Sequence, residues 1–193
     1  MKKVYLIRHG LPDFPDGKGM CIGTTDIPMG EKGLAQAADM AKKLPPVTAV
    51  FSSPLTRAVQ TAQAIGLPVV ILEGLREMHA GEWDGLTFAE IRQRYPELYH
   101  ARATDLTLPL PGAEAPSDGL ARFTAAMAEA AKLAPGDFAV VSHGGIIAQF
   151  LLQITGQWTK PGYTQILPLG WENGCCFPLF PDLSEPVSSL IVD

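Results

Sequence analysis

The sequence predicts a three-layer α/β fold, a mainly parallel sheet flanked by helices, and three observations lead there. Short apolar runs recur at Val4–Ile7, Thr48–Ser52, Val69–Leu72 and Phe138–Val141, each bounded by polar residues, Gly or Pro, as buried strands are. Between them lie segments whose apolar residues repeat at helical intervals. No internal repeat, low-complexity tract or linker divides the chain, so its 193 residues are expected to form a single domain, with an excursion over the site at about residues 73–116.

Val4–Ile7 is the first strand, ending in Arg8-His9-Gly10. The Pro- and Gly-rich stretch Leu11–Gly30 reads as a long loop. Glu31–Leu44 carries Leu34, Ala37, Ala38, Ala41 and Leu44 on one helical face and stops at Pro45-Pro46. Thr48–Ser52 is the second strand, followed by a helix from Pro54 to about Ile65, with Gly66 just past its end. Val69–Leu72 is the third strand. Glu73–Gly85 is loop-like, Thr87–Tyr95 a short helix, and Leu106–Pro116 a surface excursion. The Ala-rich Leu120–Leu133 is helical, Pro135-Gly136-Asp137 a turn, Phe138–Val141 the fourth buried strand and Ile146–Ile154 a helix. Segments around Ile166 and Cys175–Phe180 are expected as edge strands, and the Pro- and Ser-rich tail as a loosely held cover.

A hydrophobic content of 47% against 18% charged residues, with a mean hydropathy of +0.12, excludes disorder for most of the chain. Fifteen Lys and Arg against twenty Asp and Glu give a net charge of −5 and a pI near 5.3, which argues against nucleic-acid or anionic-membrane partners. An anionic substrate must then be gathered locally. Only Val4–Ile7 separates Lys2-Lys3 from Arg8, too short for a signal peptide, and no apolar run approaches a membrane span. The three cysteines, Cys21, Cys175 and Cys176, are odd in number and lack CxxC spacing, so reduced thiols and a cytoplasmic location are expected. Oligomeric state is not written in these features.

Sites in open α/β sheets form beyond the carboxyl ends of strands. Two of these strands end in Arg8-His9-Gly10 and Ser142-His143-Gly144, and a third leaves through Ser52-Ser53-Pro54 towards Arg57. Two guanidiniums, two imidazoles, hydroxyls and Gly-freed backbone donors at one sheet end suit a phosphoryl group. The arginines favour a neutral, nucleophilic imidazole, and a backbone carbonyl on one ring nitrogen fixes which nitrogen attacks. His79 and His100 read as surface residues, Trp83 as packing and Cys21 as a non-catalytic thiol; Glu114 reads equally as a substrate contact or a helix N-terminal charge. His9, Glu77, His79 and His143 make a poor metal set, for the chain has four His and neither HExxH nor a carboxylate cluster, so no metal or cofactor is expected.

Arg8-His9-Gly10, Ser52-Ser53-Pro54 with Arg57, Leu75-x-Glu77 before Gly81-x-Trp83-Asp84-Gly85, and Ser142-His143-Gly144 follow in order over residues 4–150. Together they resemble the histidine phosphatase family, relatives of cofactor-dependent phosphoglycerate mutase. The resemblance implies a phosphoglycerate mutase-like fold and a phosphomonoesterase that hydrolyses a small phosphorylated metabolite through phosphohistidine. It implies His9 as nucleophile, Arg8, Arg57 and His143 holding the phosphoryl oxygens, and Glu77 as proton donor. Gly10, Ser52 and Gly144 would border the phosphate. Cys21–Pro28 resembles a segment of small bacterial members, including α-ribazole phosphatases, which makes Thr24 a substrate-loop contact. Leu11, Pro12 and Pro15 depart from the polar loop usual in relatives, Ala113-Glu114-Ala115 from Gly-Glu-Ser, and Gly30 from Ser or Thr; these bear on substrate identity more than on phosphoryl chemistry. A mutase-type phosphotransferase and a non-catalytic phospho-ligand binder are the alternatives, and the short chain with Leu11-Pro12 favours transfer to water.

Overall fold

The computed structural model describes residues 1–105 and 108–179. The expected cover formed by the tail lies outside the described residues. Six strands form one sheet: β1 (Lys2–Arg8), β2 (Ala49–Ser52), β3 (Val69–Ile71), β4 (Phe138–Ser142), β5 (Ile166–Glu172) and β6 (Cys175–Pro178), in the order β3-β2-β4-β1-β5-β6. The first four pair in parallel, while β5 runs antiparallel to β1, and β6 to β5. Six helices flank the sheet: α1 (Glu31–Lys43), α2 (Thr56–Gln63), α3 (Phe88–Arg94), α4 (Pro96–Thr104), α5 (Pro116–Leu133) and α6 (Gly144–Thr155).

The side-chain alternation of a strand divides the core in two. Val4, Leu6, Phe51, Phe138 and Val140 face α5 and α6, packing on Phe123, Met127, Ile147 and Phe150. Ile7, Val50, Ala139 and Val141 face Met40 of α1 and Ala58 and Ala62 of α2. Helices on both faces are thus a consequence of strands that are apolar at every position. The register then sets the site: β1 and β4 pair Arg8 with Ser142, and β2 and β4 pair Ser52 with Val141. Arg8-His9, Ser142-His143 and Ser52-Ser53 therefore leave the sheet at one level.

Two features differ from the sequence expectation. The Ile166 segment is interior, bonded to β1 on one side and β6 on the other, because β6 takes the edge. The helix α4 was not anticipated, since it buries no residue and so has no apolar stripe; its signal is Pro96 in the first turn. Trp83 packs as expected, its ring 6.3 Å from that of Tyr95 and 6.4 Å from that of Tyr99, which ties α3 and α4 to the turn at Gly81–Trp83.

Gly33 lies buried in the first turns of α1, where the loop following His9 crosses the helix. A Cβ there would stand 2.1 Å from the Leu11 carbonyl oxygen, closer than any contact allows. Helix propensity alone credits Gly33→Ala with about 1 kcal/mol. The clash is expected to reverse the sign, destabilising by roughly 1–3 kcal/mol. Chemical denaturation of the variant checks this; a gain in stability would show that the loop moves freely over α1.

Candidate active site

His9 ends β1 with its backbone N–H donated to the Ser142 carbonyl (2.9 Å). Its Nδ1 lies 2.7 Å from the Gly10 carbonyl, an acceptor only, so Nδ1 carries the proton and Nε2 the lone pair. Arg57 Nε donates to that Nε2 at 3.3 Å. The Arg57 side chain is fully buried, and its other nitrogens donate to Gly23 O (3.0 Å) and Thr25 O (2.8 Å). Thr61, one turn on, accepts the Gly10 N–H (3.0 Å) and donates to Arg57 O (2.7 Å), locking strand end to helix.

The loop that supplies the two carbonyls is itself held by Asp84, which accepts from the N–H groups of Gly23, Thr24 and Thr25 and from the Thr24 hydroxyl (3.0 Å). Asp26 accepts the Thr56 N–H (2.8 Å) and hydroxyl (2.6 Å), capping α2, and stands 3.9 Å from Arg57. On the opposite flank, Arg8 lies 3.8 Å over the Tyr163 ring and donates to Pro161 O (2.8 Å). Its Nε is buried without a partner among the described residues. The second imidazole, His143, has its ring centroid 5.0 Å from that of His9; its Nε2 meets Ser53 Oγ at 2.6 Å, and its Nδ1 has no partner among the described residues.

Glu77 sits at the N-terminus of α6. Its Oε1 accepts the N–H of Ile146 (2.8 Å) and of Met78 (3.0 Å), and its Oε2 that of Gly145 (2.8 Å). Two of these donors are otherwise unpaired groups of the helix start, where negative charge is favoured. The backbone around Glu77 is clamped by Arg122, which donates to Gly74 O, Arg76 O and Glu77 O and pairs through its Nε (2.7 Å) with Glu114. Burial alone would raise the Glu114 pKa, but the bonds from Arg122 and Arg76 outweigh it and hold it down to about 2.

Burial depresses the pKa of both imidazoles well below 6.5, with Arg57 and Arg8 adding to it at His9, and His9, Arg57 and Arg8 at His143. Burial likewise lowers both arginines, although a guanidinium stays charged. The Cys21 thiol is pushed up to about 11 by burial, then by Asp84, which leaves it a poor nucleophile. Among the described residues no group of three His, Cys, Asp or Glu is arranged to hold a metal ion. No helix there is long and apolar enough to cross a membrane.

The description "Histidine phosphatase superfamily (branch 1)" matches residues 4–173. The chain belongs to that superfamily. It is 35% identical, over 62% of its length, to a bifunctional protein of Mycobacterium tuberculosis, of which it spans only 35%. It is also 35% identical to a metal-independent phosphoserine phosphatase of Arabidopsis thaliana, covering 79% of this chain and 68% of that one. A mycobacterial glucosyl-3-phosphoglycerate phosphatase solved with VO3 superposes with a TM-score of 0.78 at 30% identity, over 88% of this chain and 93% of its own. An α-ribazole phosphatase of Shigella flexneri shares the fold, with a TM-score of 0.75 at 23% identity over 91% of this chain and 94% of its own.

At this sheet end the structure brings Arg8, His9, Arg57, Glu77 and His143 together, with Gly10 and Gly144 beside them. It does not do so for every expected residue. Ser53, not Ser52, meets the second imidazole, because successive residues leave a strand on opposite sides; the Ser52 hydroxyl is spent on Ser53 O (2.9 Å). The Thr24 hydroxyl is spent on Asp84, and Gly10 donates its N–H to Thr61. Glu114 serves as a structural ion pair. Tyr163, Lys160, Ser53, Thr61 and Arg122 were missed.

The buried neutral imidazoles carry a consequence for stability. Below about pH 6.5 the unfolded chain takes up protons that folded His9 and His143 refuse, so stability is full above that pH and falls as pH drops towards the depressed folded values. Each contributes a slope of about 1.4 kcal/mol per pH unit. Glu114 acts in a lower window, its contribution present above 4.5 and lost towards about 2. Thermal melts in buffer free of phosphate are expected to show Tm declining from about pH 6.5 downward. A flat Tm to about pH 5 would contradict neutral buried imidazoles.

Proposed function

We propose that the protein is a metal-independent phosphomonoesterase acting on a small phosphorylated metabolite through phosphohistidine on His9. The observation that carries this reading is the pinned tautomer: Gly10 O takes the Nδ1 proton, and the Nε2 lone pair faces Arg57 beside Arg8 and His143. The names of the Arabidopsis and mycobacterial phosphatases support it; separately, the free cysteines suit a cytoplasmic location.

In the first step Nε2 attacks phosphorus, the N–P bond forms and the ester P–O bond breaks in line. Arg8, Arg57 and His143 stabilise the charge on the transferring oxygens. The leaving oxygen needs a proton, and Glu77 can hold it at one place. A carboxyl group has about four acceptor sites; Oε1 spends two on N–H groups and Oε2 one, so the remaining site, on Oε2, is the one open to a proton. In the second step Glu77 takes a proton from water, the new P–O bond forms and the N–P bond breaks. Phosphate and neutral His9 result. A mutase must instead retain the phosphorylated enzyme for a returning alcohol.

Rapid-quench labelling with a phosphate ester should give an acid-labile, alkali-stable adduct that maps to His9. A label on Ser53 or Cys21 would overturn the assignment.

Glu77→Gln keeps the shape of the side chain and removes the transferable proton. In single turnover it should slow phosphorylation by alkyl phosphates by roughly 10²–10⁴-fold. Aryl phosphates, whose leaving group is stable as an anion, should lose far less. Equal losses on both would take Glu77 out of the acid role.

A further inference from the structure

Gly10 O holds His9 in one tautomer, and the second imidazole meets a constraint of its own. Ser53 leaves β2 with its backbone N–H donated to Val141 O (3.0 Å), which fixes it against the end of β4, two residues before His143. Its Oγ lies 2.6 Å from His143 Nε2 and accepts the Leu55 N–H (3.2 Å). Serine and histidine are both fully buried. One proton lies between Oγ and Nε2, and its origin decides the tautomer of the ring.

A hydroxyl has one proton to donate and two lone pairs. If Ser53 donates to Nε2, its proton has an acceptor, a lone pair takes the Leu55 N–H, and the ring proton sits on Nδ1. If Nε2 donates to Ser53 instead, the hydroxyl proton has no acceptor among the described residues, and a buried hydroxyl in that state is costly. The far side of the ring points the same way. His143 Nδ1 and Arg8 Nε are both buried without a partner among the described residues, and Arg8 Nε can only donate. A dianionic phosphoryl group beside His9 offers acceptor oxygens alone; it suits Arg8 Nε–H and Nδ1–H alike, whereas an Nδ1 lone pair would set acceptor against acceptor. Burial first, then His9, Arg57 and Arg8, depress the His143 pKa, so it is the tautomer and not a second proton that decides what Nδ1 offers. We propose that Ser53 is a positioning residue: its hydroxyl donates to His143 Nε2 and holds that ring as the neutral Nδ1–H tautomer, which donates to a phosphoryl oxygen. The two imidazoles then carry their proton on the same atom for opposite purposes, His9 to bare Nε2 for attack and His143 to turn an N–H towards the oxygens. The identity of the acceptor rests on the phosphatase reading above.

The test is the nitrogen type of each ring nitrogen in long-range proton–nitrogen correlation spectra of the wild-type protein, recorded above neutral pH without substrate. His143 should show a protonated Nδ1 and a bare Nε2; a proton on Nε2 overturns the proposal. In Ser53→Ala the His143 signals should move towards the other tautomer. The variant should also lose roughly 10- to 100-fold in kcat/KM, the worth of one hydrogen bond to a charged group. That loss should be alike on glycerol 3-phosphate and p-nitrophenyl phosphate, because the donor serves the phosphoryl oxygens and not the leaving group. An unmoved tautomer or an unchanged kcat/KM in Ser53→Ala overturns the role of Ser53, and should that variant fail to fold, the wild-type spectrum still decides. A wild-type protein that forms no phosphohistidine overturns the phosphatase reading, while the substrate-free spectra report the tautomer independently of it.

Discussion

A guanidinium with no exposed surface, as Arg57 has, is tolerated only if its N–H groups find acceptors and its charge finds company. Arg57 meets the demand with Gly23 O, Thr25 O and His9 Nε2, and with Asp26 nearby. Much that looks irregular in the chain follows from this. The stretch after His9 has little regular structure because its carbonyls must turn inward as acceptors, which a helix or strand would use up. Turning them inward leaves backbone N–H groups outward, and Asp84 collects three. Gly23 must be glycine, for a Cβ there would stand 2.4 Å from the Met78 carbonyl oxygen. The His9 imidazole is therefore aligned by a chain of contacts from Asp84 through a loop to Arg57.

The start of α6 answers a second set of demands at one point. It gives Glu77 two N–H donors, and it must let the carboxylate on one side and Arg8 with Lys160 on the other approach its backbone closely. Gly144 and Gly145 make both approaches possible, since a Cβ on Gly145 would stand 2.9 Å from Glu77 Oε1. That is the physical content of a histidine followed by two glycines. Glycine at the start of a helix costs conformational entropy, about 1 kcal/mol against alanine in a helix interior. Here that cost is offset by three close neighbours, Glu77, Arg8 and Lys160, that a side chain at either position would displace.

The sheet and the strand ends were legible because they rest on local pattern. Apolar runs gave β1, β2, β3 and β4, and strand ends carrying Arg-His-Gly and Ser-His-Gly gave the site before any coordinate. What escaped rests on contacts between residues distant in sequence or on a change of one position. Ser52 and Ser53 differ by a single step, and a step reverses the side to which a strand residue points. The Thr24 hydroxyl is claimed by Asp84, sixty residues away. The helix α4 has no buried face for periodicity to reveal.

The direction of β5 explains why the flank of the site around Arg8 and Tyr163 was its least legible part. Had β5 run parallel to β1, α6 would have served as the crossover helix and the segment before β5 would have arrived at the opposite end of the sheet. Running antiparallel, β5 pairs Ile166 with Ile7, so residues 160–165 arrive at the carboxyl end of β1, beside His9. Thr164 holds the approach with φ at 57°, a conformation that a β-branched residue rarely adopts and that costs about 1–3 kcal/mol. Its N–H bond to Arg8 O and the seating of Tyr163 under Arg8 offset that strain. The strands β1, β2 and β4 therefore bring His9, Ser53 and His143 to one level by register, while a short strained segment ahead of an antiparallel strand brings Pro161 and Tyr163 against Arg8. Gly10 and Arg57, which orient the His9 ring, belong to other elements, while this segment touches His9 through the Tyr163 ring, 5.7 Å from the imidazole, and the Thr164 N–H, 3.4 Å from the His9 carbonyl.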